Sequence, residues 1–170
     1  RDRYGAHRIA LVLGTSTSSI GATEEAYARL TAGEFPAELR QSVLHSPHSL
    51  SDFVRAVLGL EGIATTVATA CSSSAKVFAQ AERYVRLGLA DAAIVGGVDS
   101  LCGSVLYGFN SLELVSREPC RPFDVARAGI SLGEAGGFAL LEKDGDAGPW
   151  LLGYGESSDA HHMSTPHPEG

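Results

Sequence analysis

Thr69-Ala70-Cys71-Ser72-Ser73-Ser74-Ala75 is the stretch on which the fold turns. A β-branched, small-residue run, Ile63-Ala64-Thr65-Thr66-Val67-Ala68, leads into it. An amphipathic helical pattern leaves it: Phe78, Ala81, Val85 and Leu89 recur at helical spacing, with Lys76, Glu82, Arg83 and Arg86 on the opposite side. Cys71 therefore stands on a strand-to-helix corner, at or just before the first turn. Unpaired backbone N–H groups and the helix dipole favour negative charge at such a place, and the thiolate, not the thiol, is the attacking form of cysteine. Two readings stay open on this pattern alone: a reactive nucleophile, or a small buried hydrophobe, as most intracellular cysteines are.

Working outward, Ile9 to Leu13 is a continuous apolar run stopped by Gly14, the pattern of a strand buried on both faces of a parallel sheet. Ala92-Ala-Ile-Val-Gly-Gly97 reads as another such strand, and its paired glycines suit a close backbone approach at the strand end. Phe138 to Glu142 is the last clear strand, with Trp150 to Tyr154 a further candidate. Helices are expected over Ala22 to Leu30, broken by Gly33 to Pro36, over Leu50 to Leu58, closed by Gly59 or Gly62, and over Phe109 to Leu114. Apolar strands alternating with helices imply an α/β fold with right-handed crossovers. The long segment between the strands at 92 and 138, with its polar Arg117 to Asp124 loop, is of a kind that is commonly functional.

Composition sets the broad class. The chain has 170 residues, 44% hydrophobic and 19% charged, ordinary for one soluble globular unit. Its apolar runs fall far short of the roughly 20 residues a membrane span takes, and no signal peptide is visible. Cysteines at 71, 102 and 120 form an odd set with no close pair, which suggests neither a disulfide framework nor a zinc site and fits a reducing cytoplasm. A net charge of -7 argues against a nucleic-acid partner. His45 and His48 stand at a spacing that could ligate a metal, but no third ligand lies near in sequence, so solvated or capping roles are the default. The chain opens on Arg1 rather than Met, and an upstream portion is expected to precede it.

Five motifs follow in order: Thr69-Ala-Cys71-Ser-Ser-Ser, Val95-Gly-Gly-Val-Asp99, Arg121-Pro-Phe-Asp124, Gly133-Glu-Ala-Gly-Gly137, and Ser157-Ser-Asp-Ala-His-His-Met163 with Pro168-Glu-Gly170. In this order the chain resembles the β-ketoacyl-[acyl-carrier-protein] synthases from about Arg8 to its end. The resemblance implies the thiolase-like fold, of which residues 1–170 would be most of the first half, and an acyltransferase that needs no metal or cofactor. Cys71 would accept an acyl group from a carrier-protein thioester. A carbanion from malonyl-carrier, released with loss of carbon dioxide, would then attack that acyl group in a Claisen condensation. The family's two histidines, its lysine and its second oxyanion amide belong to the second half; here only Cys71 and its own N–H match.

The resemblance also implies lesser roles. Phe109 corresponds to an acyl-pocket residue and Ile130 to the gate beside the nucleophile, where many members carry Phe; the family's preceding Asp is Ala128 here. Ser164 and Thr165 fall where a hydroxyl pair lines the malonyl-pantetheine tunnel. For Phe109 and Ile130 plain core packing is an equal alternative, and Glu134, inviting as a base, reads as structural among its glycines. An acyl carrier protein is the implied partner. The strand from Ile63 to Ala68 would lie at a sheet edge and pair across a two-fold axis in a homodimer or a ketosynthase-type heterodimer. A thiolase-fold enzyme using coenzyme A thioesters and a non-catalytic dimerising subunit are the alternatives. In a family half-fold of strand order 3-2-1-4-5, Ile9 to Leu13 would be the second strand and the central first strand would be missing, so residues 1–170 alone would be neither active nor a stable domain.

Overall fold

In a computed structural model, which describes residues 1–30, 33–34, 45–145, 148–163 and 165–170, the first strand is the centre of the sheet. β1 (Ile9–Gly14) is buried along its whole length. It pairs in parallel with β2 (Ala64–Val67) on one side and with β3 (Ala92–Asp99) on the other, and β4 (Ala135–Glu142) adds antiparallel to β3, giving the order β2-β1-β3-β4. This corrects the expectation of a missing central strand. Leu11 faces Ala64 across one ladder and Ile94 across the other, so both edges of β1 are hydrogen-bonded and no gap exists for a strand to fill. Among the described residues the open edges are the outer ones, of β2 and of β4.

Alternation along β1 builds two cores. Ile9, Leu11 and Leu13 point to one face, where Leu50 and Val54 of helix α2 (Ser49–Leu58) and Leu60 pack on them. Ala10 and Val12 point to the other, against Val77 and Ala81 of helix α3 (Ser73–Arg86), together with Ala93 and Val95 of β3. A strand covered on both faces must be apolar at every position, which is why Ile9 to Leu13 carries no polar residue. Gly59 ends α2 with φ +60°, the left-handed conformation that glycine reaches without strain.

Two other α-helices lie among the described residues: α1 (Ile20–Ala28) and α4 (Gly103–Ser111). The helix expected over Phe109 to Leu114 lies earlier. Its start is set from outside, because the Glu24 carboxylate of α1 accepts the N–H groups of Gly103 at 2.8 Å and Ser104 at 2.6 Å. A hydrogen bond from the Ser104 side chain, together with these N–H bonds, holds the Glu24 carboxyl below its usual pKa. The helix stops at Ser111, and the chain turns at Glu113, which has φ +59°. Trp150 to Tyr154 forms no strand, and Trp150 and Leu152 are exposed. The Gly33 to Pro36 break lies in part outside the described residues. No helix among the described residues is long and apolar enough to cross a membrane.

Candidate active site

Bare strand ends bring Cys71 to the sheet. Gly14 closes β1 directly under the start of α3, where a Cβ would lie 2.7 Å from the Ser73 carbonyl carbon and 2.8 Å from the Ser74 nitrogen. On Gly97 of β3 a Cβ would collide with the Ser74 hydroxyl. Two glycines thus let the first turn of α3 sit against the carboxyl ends of β1 and β3. The close approach expected of Gly96-Gly97 is present in this form.

Between β2 and α3 the chain makes a tight 3-10 turn over Ala70–Ser72. Ala70 has φ +52°, a left-handed conformation that non-glycine residues hold only when the surroundings over-determine it. Hydroxyls supply those constraints: Ser73 Oγ accepts the Thr69 N–H at 2.8 Å, and Ser72 Oγ donates to the Thr69 carbonyl at 2.9 Å. Cys71 sits in the middle of the turn, exposed and unpaired. Among the described residues, then, no side chain buries the thiol.

The thiol opens on a groove of about 630 Å³. Its apolar side is Ile20, Val105, Phe109 and Leu112; its polar side is Ser16, Thr17, Asp99 and Ser104. Asp99 holds this polar side together. One oxygen, Oδ1, accepts from Thr15 Oγ1 at 2.9 Å, Ser16 N–H at 2.7 Å, Thr17 N–H at 2.9 Å and Thr17 Oγ1 at 3.0 Å. Burial would raise the Asp99 pKa, but the N–H groups of Thr17 and Ser16 and the two threonine hydroxyls together carry it below the usual carboxylate value.

A depressed folded-state pKa contributes stability that is present above the unfolded pKa, about 3.9, and is lost as pH falls through the folded value. An Asp99→Asn variant is accordingly expected to melt below the wild type at pH 7. The gap should narrow on acidification below about pH 4. Thermal unfolding followed across pH checks this; a gap that stays constant down to the lowest pH would remove Asp99 ionisation as the cause.

The positions singled out in the sequence are only partly brought together. Cys71 and Phe109 line the same groove. Ile130 is not among its lining residues; it bridges to Val115, donating its N–H to the Leu114 carbonyl at 2.9 Å and accepting the Ser116 N–H at 2.8 Å. Thr165 is exposed in the carboxyl-terminal segment, its N–H on His162 Nδ1 at 3.2 Å, and Ser164 lies outside the described residues. Asp159 accepts the N–H groups of His161 at 3.1 Å and His167 at 3.0 Å, away from the groove. Glu134 accepts the Leu101 N–H at 3.1 Å, a structural contact across 33 residues of chain. His45 Nδ1 is 2.6 Å from the Thr23 hydroxyl, and His48 stands at the N-terminal cap position of α2 with Nε2 3.6 Å from Asp52.

Sequence reasoning missed Ser16, Thr17 and Asp99 as parts of one site. The available signal was an acid at a strand end two residues after a glycine pair, and a hydroxyl run, Thr15 to Ser19, after the glycine that ends β1.

With the geometry in view, similarity to known proteins is informative. The family "Beta-ketoacyl synthase, N-terminal domain" matches residues 2–147. Nodulation protein E of Rhizobium leguminosarum bv. trifolii is 33% identical over 99% of this chain and 44% of its own length. The 3-oxoacyl-[acyl-carrier-protein] synthase 2 of Mycobacterium leprae (strain TN) is 35% identical over 68% of this chain and 32% of its own. Among solved structures, the ketosynthase (ApeO) in complex with its chain length factor (ApeC) from Xenorhabdus doucetiae aligns with a TM-score of 0.83 at 40% identity, covering 99% of this chain and 43% of that one. The chain thus spans less than half the length of the relatives it matches. The expected fold class, a mixed α/β sheet of the thiolase-like kind, holds with four described strands. On the match over residues 2–147, the chain belongs to the β-ketoacyl synthase family, through that family's N-terminal domain.

Proposed function

We propose that this chain is the nucleophile-bearing part of a β-ketoacyl-[acyl-carrier-protein] synthase, with Cys71 as the acylated residue. The observation that carries this reading is an exposed thiol on a strained turn at a helix start, opening on a groove with an apolar side. The Cys71 thiolate attacks the carbonyl carbon of an acyl thioester, a tetrahedral oxyanion forms and collapses, and the carrier thiolate leaves and takes up a proton. A malonyl thioester then loses carbon dioxide, and its carbanion attacks the acyl-Cys71 carbonyl. A carbon–carbon bond forms, and the Cys71 thiolate is released. The acyl chain lies along Ile20, Val105, Phe109 and Leu112; Ile130, Ser164 and Thr165 act as gate and tunnel residues in the intact enzyme. The histidine pair, the lysine and the second oxyanion amide come from the portion of the relatives that this chain does not span.

The substrates are carried by an acyl carrier protein, and the enzyme works in a reducing cytoplasm, in keeping with three free thiols. Assembly uses the open edge of β2, as a homodimer or with a chain-length-factor-type partner. Leu11 N–H bonds to the Ile63 carbonyl and Thr15 N–H to the Val67 carbonyl, so alternation turns the backbone groups of Ala64 and Thr66 outward. An uncharged edge of this kind is an aggregation hazard unless covered. Ala64→Pro, at the first residue of β2, removes an outward N–H and no hydrogen-bonding side chain, a change edge strands tolerate. It is expected to convert the dimer to monomer in light scattering; an unchanged dimer rejects the β2 edge as the interface.

The function is tested by incubating the intact protein with an acyl-carrier thioester and mapping the adduct by mass spectrometry. The acyl mass is expected on the peptide containing Cys71. An adduct on Cys102 or Cys120, with Cys71 untouched, would overturn the assignment.

A further inference from the structure

Ser16 and Ser73 converge on one atom. Ser73 Oγ donates to the Ala70 carbonyl oxygen at 2.6 Å, and Ser16 Oγ donates to the same oxygen at 3.1 Å. The Ser73 N–H also points to it. These donors come from two separate segments, since Ser73 opens α3 whereas Ser16 lies in the loop after β1, with its own N–H on Asp99 Oδ1 at 2.7 Å. The carbonyl they hold belongs to the residue with φ +52° that immediately precedes the nucleophile.

A peptide unit is planar and trans, so its carbonyl oxygen and the following N–H point in opposite directions. Fixing the Ala70 oxygen therefore fixes the direction of the Cys71 N–H. Resting on the proposed acyl transfer to Cys71, we infer that Ser16 is a positioning residue for the oxyanion donor: its hydroxyl, anchored through Asp99, locks the Ala70–Cys71 peptide plane so that the Cys71 N–H meets the oxyanion formed during acyl transfer. Ser73 alone leaves the plane freer, because its hydroxyl has a second acceptor in the Thr15 carbonyl at 3.2 Å. Ser16 supplies the tether from outside the helix.

The test uses two reactions of the same sulfur. Acyl transfer passes through an oxyanion; alkylation by iodoacetamide displaces iodide at carbon and forms none. Ser16→Ala in the intact protein is expected to slow acylation of Cys71 by about tenfold or more, short of the roughly 10²–10³-fold seen when an oxyanion donor is lost outright. Its alkylation rate should stay within about twofold of wild type, because the thiol itself is unchanged. Ser16→Thr, which keeps the hydroxyl, should restore acylation. Equal acylation rates in Ser16→Ala and wild type would overturn the clamp, and so would a parallel loss of both reactions, which marks general damage to the site. A wild-type protein that is alkylated but never acylated at Cys71 would instead sink the acyl-transfer reading, and the clamp with it.

Discussion

If the proposed acyl transfer holds, Cys71→Ala in the intact protein is expected to remove acyl transfer and condensation, by at least about 10³-fold, while leaving the fold intact. The expected loss is large because in the proposed reaction the sulfur is the atom that bonds to the acyl carbon, and alanine offers no substitute. The fold survives because the thiol is exposed in a turn held by other groups: Ser73 Oγ on the Thr69 N–H, Ser72 Oγ on the Thr69 carbonyl, and the packing of Gly14 under Ser73. Removing an exposed sulfur opens no cavity, so unfolding free energy should change by no more than about 0.5 kcal/mol. The measurement pairs single-turnover acylation with denaturant unfolding. Residual acylation at the wild-type rate would show that another residue carries the chemistry.

The second large effect is on the scaffold. Gly14→Ala is expected to cost about 3 kcal/mol, the upper end of the range for inserting a carbon into a packed core. The added carbon meets backbone atoms of Ser73 and Ser74 at 2.7 to 2.8 Å, and backbone at a helix start cannot rotate away as a side chain can. The first turn of α3 must lift, and it carries the Cys71 turn with it. Against the roughly 5–15 kcal/mol of a typical domain this is a severe loss, and it should come with slower Cys71 labelling in the protein that still folds. Gly137→Ala is the control: a Cβ there meets nothing within 4 Å, and its backbone needs no left-handed conformation. Urea unfolding of the two variants decides the matter. A Gly14→Ala protein as stable as Gly137→Ala would show that α3 does not depend on that close approach.

The Cys71 corner was legible in the chain and the surrounding groove was not. A β-branched run, a glycine-free amphipathic helix and a small-residue turn between them are local features, set by backbone sterics and side-chain periodicity within about 25 residues, and they place Cys71 correctly. Gly59 as a helix terminator and the two-face burial of Ile9 to Leu13 are local in the same sense. The start of α4 was misplaced because its capping carboxylate, Glu24, lies 79 residues earlier in the chain. Asp99 went unread for a similar reason, since its four donors are 82 to 84 residues away.

Strand order shows the division most clearly. The apolar pattern of β1 states that both faces are covered, and it is equally satisfied whichever strands lie alongside. Placing it second in the order 3-2-1-4-5 left a vacant centre, whereas pairing Leu11 with both Ala64 and Ile94 closes that centre and moves the open positions to β2 and β4. The sequence by itself determined the strands β1 to β4, the helices α1 to α3, the burial of β1 on both faces and which thiol stands at a helix start, because these follow from sterics and hydrophobic period over neighbouring residues. Only the tertiary structure decided which strands are neighbours, which carbonyl Ser16 grips and which loop Asp99 gathers, because those contacts join segments far apart in the chain and depend on packing that no local pattern encodes.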